Sequence, residues 1–231
     1  MARRRMQSLT ERIPEKIADI IAGAERYHKR FKDMPTFGGP SLHFHHRALE
    51  PGPLENRVEP IYAVLASWGM QRMGRGGPKM ADFVAFRHAI LSSRTELERL
   101  SAVTFESVGR DQTDLLVDLA AGLRVMKTGT WLVANSKVLA HLLPNLVAPI
   151  DREYTLRYLT GGRGSYVAAD DEEELFRTIT TQFYWPIARD PNFKATARHW
   201  VSEDLSSWDT SLLKIIDNLV IGARNDGPAA S

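Results

Sequence analysis

Lys137 and Asp151 are the residues whose types and placement most directly suggest chemistry. A carboxylate beside a sugar can stabilise oxocarbenium character at the anomeric carbon or activate a water molecule. A lysine amine can attack the same carbon and form a Schiff base. Asp151 is followed at once by Arg152, and Pro149-Ile-Asp-Arg-Glu-Tyr154 reads as a helix start, so an N-cap role stands beside the chemical one. One residue can fill both. His141 lies four positions after Lys137 and shares its helical face, while Tyr154 shares a face with Asp151.

Trp68 and Arg72 are one helical turn apart and could present a stacking surface with a cation beside it; the plain alternative is a core tryptophan and a surface arginine. His43, His45 and His46 fall in the aromatic stretch Leu42–Arg47. His43 and His45 would share a face in an extended chain, but no nearby Asp, Glu or Cys completes a metal site, and none is expected. The stretch sits in a Gly/Pro-rich passage, 34–53, that reads as irregular and as the candidate wall of a pocket, with Phe44 stacking on a base. Gly69 and Gly74 have Walker-loop spacing, but Arg75 and Gly76 replace the Lys-[Ser/Thr] that must follow. Arg163, in Gly161-Gly-Arg-Gly164, is a candidate phosphate contact. Phe183-Tyr-Trp-Pro186, Trp200 and Trp208 read as core.

The helix carrying Lys137, the Pro-bounded turn from Leu143-Pro144 to Pro149, and an aspartate opening the next helix together resemble the helix-hairpin-helix DNA glycosylase superfamily over about residues 113–160. The segments Ala66–Gly74 and Gly76–Met80 are similar to bacterial relatives of these enzymes, which share the Ser-Lys…Leu-Pro…Pro-Ile-Asp-Arg pattern. The resemblance implies that Asp151 supports cleavage of an N-glycosidic bond, with Lys137 on the helix before it. It implies that Lys127 and Gly129, in the turn Lys127-Thr-Gly-Thr130, lie at the DNA grip, where the superfamily usually has Gly-x-Gly and a slightly longer interval to the aspartate. The implied partner is double-stranded DNA bearing a flipped, modified base, with glucosylated hydroxymethylcytosine of phage DNA as the expected substrate and no metal or organic cofactor. The other readings are an ordinary base-repair glycosylase, a non-catalytic DNA-binding module, and a helical scaffold or toxin-like interaction protein. They are separated by whether the Asp151 carboxyl faces a basic-walled cleft, a convex surface or a packed core.

The elements that must position these residues are helical. With 231 residues and 43% hydrophobic content the chain can bury a real core. Apolar residues recur with helical period and strand alternation hardly occurs, so an all-α fold in one unit spanning 1–231, as a single bundle or as two lobes around a cleft, is expected. Predicted helices run from Thr10 to about Phe31, Leu54 to Met73, Lys79 to about Val108 with a break near Ser92-Ser93, from a Thr113 cap through Met126, around Lys137, from near Asp151, and over 170–189 and 203–223. The Leu54–Met73 helix, apolar almost all round, should be central. The absence of cysteine excludes disulfides, thiolate zinc sites and iron–sulfur clusters. Met1-Ala-Arg-Arg-Arg-Met6 has no apolar run behind it, and a cytoplasmic protein without a membrane segment or obligate protein partner is expected. Net charge is only +2, yet residues 1–50 hold ten Lys/Arg against six Asp/Glu, and Asp170–Glu174 forms an acidic block. A local basic face is compatible with that balance.

Overall fold

Gly23 splits the first expected helix in two. In the computed structural model, which describes residues 2–35, 39–74, 77–162 and 171–224, α1 (Ala2–Ala22) ends at this glycine and α2 (Ala24–Lys32) begins beyond it. The Gly/Pro-rich passage is also helical. Gly39, at φ 84°, precedes α3 (Pro40–Leu49), because a proline at the first helical position sacrifices no hydrogen bond and presets φ. The expected irregular loop is therefore corrected over residues 40–49.

Next, α4 (Leu54–Ser67) stops earlier than expected: Trp68 closes it and Gly69, at φ 75°, turns the chain. A two-residue antiparallel pair, Met73–Gly74 with Gly77–Pro78, is the sole β-pairing between strands among the described residues. The other regular elements of the described residues are helical. α5 (Phe83–Ser92), capped by Asp82, and α6 (Arg94–Ser101) meet at Ser93, where the break was expected. α7 (Arg110–Gly122) is capped by Gly109 and Gln112 rather than Thr113, whose hydroxyl instead donates to the Gly109 carbonyl.

α8 (Leu132–Leu142) carries Lys137. Asp151 caps a π-helical turn, Arg152–Leu156, that runs into α9 (Arg157–Thr160). The expected 170–189 helix is α10 (Glu172–Thr178), a π-turn over Ile179–Tyr184 and α11 (Trp185–Arg189) in continuous succession. Then follow α12 (Pro191–Ala197) and α13 (Leu212–Arg224), which starts nine residues later than the expected 203–223 segment.

The main hydrophobic cluster draws Val58, Ile61 and Leu65 from α4, Val138 and Leu139 from α8, and Ile215, Ile216 and Leu219 from α13, all fully buried. Phe183, Tyr184 and Trp185 are core, as expected. α13 lies along α2 so closely that a Cβ on Gly222 would sit 2.1 Å from the Tyr27 carbonyl oxygen. Only glycine allows that approach. No helix of the described residues is long and apolar enough to cross a membrane.

Candidate active site

α8 is buried almost all round, yet Asn135, Ser136, Lys137 and His141 sit within it. Buried polar groups must find partners, and theirs position the site. Asn135 Nδ2 donates to the Ala120 and Leu123 carbonyls at 2.7 and 2.8 Å, fixing α8 against the end of α7. Ser136 Oγ accepts from the Ile150 N–H at 3.0 Å, which brings the chain preceding Asp151 alongside α8. From the other side the Tyr184 hydroxyl donates to the Pro149 carbonyl at 2.9 Å, and Thr155 Oγ1 accepts from the Asp151 N–H at 3.1 Å.

Thus held, Asp151 divides its oxygens. Oδ1 accepts from the backbone N–H groups of Glu153 and Tyr154 at 2.7 and 3.4 Å, and Oδ2 accepts from Lys137 Nζ at 2.6 Å. Burial pushes the Asp151 carboxyl up, but the charge and hydrogen bond of Lys137 and the two backbone donors outweigh it and hold the group below its ordinary value. Cap and ion-pair partner coexist in one side chain. Lys137 Nζ also lies 5.1 Å from the Trp68 ring centre.

Trp68, Lys137 and Asp151 form the boundary between two hollows. One is an outer groove of about 350 Å³, walled also by Arg72, Lys79 and Arg152, with Glu153 and Glu172 beside them. Asp151 thus faces a cleft with basic side chains rather than a convex surface or a packed core. The other is an inner cavity of about 180 Å³. Its walls are aromatic: Phe31, Trp68, Tyr154 and Trp208. A water needs roughly 10–15 Å³ by this measure, so the hollow has room for a small organic ring.

A second ion pair lines the cavity. Lys214 Nζ donates to Asp217 Oδ2 at 2.7 Å and to Asn218 Oδ1 at 2.6 Å, all three from α13 and all three buried. Asn218 Nδ2 donates to Asp209 Oδ1 at 2.9 Å, and Asp209 Oδ2 meets His28 Nε2 at 2.9 Å. Burial pushes the Asp217 carboxyl up; Lys214 opposes this, and the nearby Asp151 charge reinforces it. The cavity therefore holds two carboxylates shifted in opposite directions. Lys214, Asp217 and Phe31 were not singled out in the sequence, and Trp208 is buried in a small core cluster, as expected, while also forming a cavity wall. The signal was available: Lys214, Asp217 and Asn218 interrupt an otherwise apolar run at i, i+3 and i+4.

The remaining expected site residues fall elsewhere. Tyr154 lines the inner cavity, and Arg72 and Arg152 the groove. Lys127 is exposed, its N–H bonded to the Lys79 carbonyl at 2.8 Å, and Gly129 is exposed in the turn before α8. At the head of α8, Glu172 accepts from the N–H groups of Trp131 and Leu132 at 2.6 and 3.2 Å, so part of the acidic block is a buried helix cap. Arg75, Gly76, Arg163 and Asp170 lie outside the described residues.

The histidines need correction. On helical α3, His43, His45 and His46 point in different directions. His43 is exposed, in a separate surface hollow with Arg47 and Leu205. His46 Nε2 donates to the Ser207 carbonyl at 2.8 Å. His45 is buried behind the inner cavity, its ring 4.8 Å from that of Trp208. None lines the cavity. His141 is likewise buried, with Nδ1 2.7 Å from the Lys137 carbonyl. A carbonyl only accepts, so Nδ1 carries the proton, and His141 Nε2 accepts from His45 Nδ1 at 3.0 Å. His45 Nε2 then accepts from the Thr210 hydroxyl at 3.0 Å. Both rings are neutral: burial lowers His45 well below its ordinary value and His141 to about 4. Among the described residues no group of His, Cys, Asp and Glu is disposed to hold a metal ion. No protein-family model, curated protein or solved structure matches the chain.

Proposed function

We propose that this protein is a DNA glycosylase that hydrolyses the N-glycosidic bond of a flipped, modified base. The observation that carries the reading is the 2.6 Å Lys137–Asp151 pair at the boundary between an aromatic-walled cavity and a groove bearing Arg72, Lys79 and Arg152. The groove cations suit phosphates, the aromatic walls suit a base removed from the stack, and Asp151 meets the sugar between them. The carboxylate, anchored through Oδ1 and kept ionised, offsets the positive charge that builds at the anomeric carbon and receives a proton from attacking water. The roles of Trp68 and Tyr154 are to stack, and those of Arg72, Arg152 and Lys127 are to hold backbone phosphates.

Glucosylated hydroxymethylcytosine in phage DNA is the first substrate to test, because the cavity and the groove share Trp68, Lys137 and Asp151, so a bulky 5-substituent on a base in the cavity has the groove beside it. Duplexes carrying this base, uracil, an oxidised base or an alkylated purine are incubated with the protein, then treated with heat or alkali to cut at abasic sites. Cleavage at a modified base, lost in Asp151→Asn, is expected. Absence of abasic sites in every duplex overturns the proposal.

A further inference from the structure

Lys214 borders the cavity on a side that the groove does not share: Lys214, Asp217, Phe31 and Trp208 line the cavity and not the groove, whereas Lys137 and Asp151 border both. Two of its three N–H bonds are committed, to Asp217 Oδ2 and Asn218 Oδ1. Asn218 cannot turn away, because Asp209 holds its amide and is itself held by His28 and, at 3.7 Å, by Lys32. The third N–H is left to the slot between Trp208 and Phe31, whose ring centres are 5.2 and 5.9 Å from Nζ. A charged pair this deeply buried loses hydration that apolar side chains of equal volume would not lose, so its presence is weakly explained by stability. A fixed donor aimed into a cavity is instead the arrangement that stabilises charge appearing during a reaction.

We propose that Lys214 takes up the negative charge of the departing base, and that the substrates of this cavity are neutral pyrimidines that leave as anions rather than bases already carrying positive charge. This rests on the glycosylase reading above. As the C1′–N1 bond breaks, its electron pair passes to N1 and is shared with O2 of the ring. The Lys214 N–H donates to that oxygen. Water forms the new C1′–O bond and yields its proton to Asp151, the released base anion takes a proton from solvent, and Asp151 returns its proton to solvent, so the net reaction is hydrolysis. Asp217 and Asn218 are positioning residues that fix the ammonium, and a base with a formal positive charge meets a cation on this side of the cavity.

The test uses the full chain and single-base duplexes containing uracil, 5-fluorouracil, 5-hydroxymethyluracil, glucosylated hydroxymethylcytosine or 7-methylguanine. The wild type should release at least one pyrimidine faster than 7-methylguanine. Lys214→Met should slow release by about 10²–10³-fold, as for removal of one preorganised donor. It should slow the most acidic leaving base that the wild type accepts least, whereas Asp151→Asn should slow all alike. Lys214→Arg should recover part of the loss. Far-UV circular dichroism and thermal melting establish that the variants fold, and the wild-type comparison decides the matter without them. Fastest release of 7-methylguanine, or an equal factor lost on every pyrimidine in folded Lys214→Met, overturns the inference while leaving the glycosylase reading intact. No release from any duplex overturns both.

Discussion

Lys137 and Asp151 meet at 2.6 Å although fourteen positions separate them, and the contact uses only one oxygen of the carboxylate. The other oxygen is bonded to the start of the next helical turn. The pair is consequently set by backbone geometry, not by two side chains finding each other at a surface. Lys137 is largely buried, and Asp151 keeps 24% of its side chain accessible toward the hollows. Structural and chemical duties are separable by substitution.

Asp151→Asn retains an oxygen for the Glu153 N–H and loses the charge. Excision should fall by about 10²–10⁴-fold while the fold persists. Removing one member of a largely buried pair leaves Lys137 uncompensated, so stability should drop by about 1–3 kcal/mol, less than for a fully buried pair. Abasic-site assays and denaturant melts of the same preparation measure the two effects. Wild-type excision by the folded variant would remove Asp151 from the chemistry.

Lys137 should give no strong covalent adduct when the reaction is quenched with borohydride. To attack, the amine must shed a proton and give up its 2.6 Å ion pair, which would leave the Asp151 carboxylate without that partner. A robust protein–DNA adduct that vanishes in Lys137→Ala would show that bound substrate breaks this pair.

Acid should destabilise the protein between about pH 6.5 and 4 through His45 and His141. Each ring is neutral in the fold and has a lowered proton affinity, so the unfolded chain binds more protons once pH falls below the ordinary histidine value of 6.5. The stability they contribute is complete above that value and is lost as pH falls toward the folded values. For His141, lowered to about 4, the limit is about 3 kcal/mol at 1.4 kcal/mol per unit. Thermal melts at pH 7.5, 6 and 5 test the sign. His43, which is exposed and makes no cavity contact, should be replaceable by alanine with excision unchanged.

Gly222→Ala should separate α13 from α2, because the new methyl group would fall 2.1 Å from backbone that cannot rotate aside. Overpacking of this kind costs about 1–3 kcal/mol. The cavity takes Phe31 from α2 and Lys214 and Asp217 from α13, so excision should weaken with stability. A lowered denaturation midpoint with unchanged slope, and reduced excision at a temperature where the variant is folded, are the expected readouts.

What the sequence disclosed was local. The Pro149-Ile-Asp-Arg signal located Asp151 at its cap, the apolar period located α8, and Ser93 marked its break because caps and stripes act within a few residues. Trp68, Arg72, Lys137, Asp151 and Arg152 do border one groove. Gly39-Pro40 read as loop punctuation although it starts a helix, which misplaced the three histidines. Lys214 and Asp217 do stand out as polar interruptions of an apolar run, but the run alone does not say whether they face water or a cavity. Glu172 reaches the head of α8 across 40 positions, a distance at which composition carries no information.

That last contact bears on search. The positive end of α8 already has a resident anion, and Glu153 stands in the same groove, so passing phosphates meet repulsion as well as Arg72, Lys79 and Arg152. On the glycosylase proposal, such a mixed lining would shorten each visit to DNA that offers no base to the slot. Residence time would then be set by what enters the aromatic slot, and recognition would be a matter of departure rates rather than of attraction.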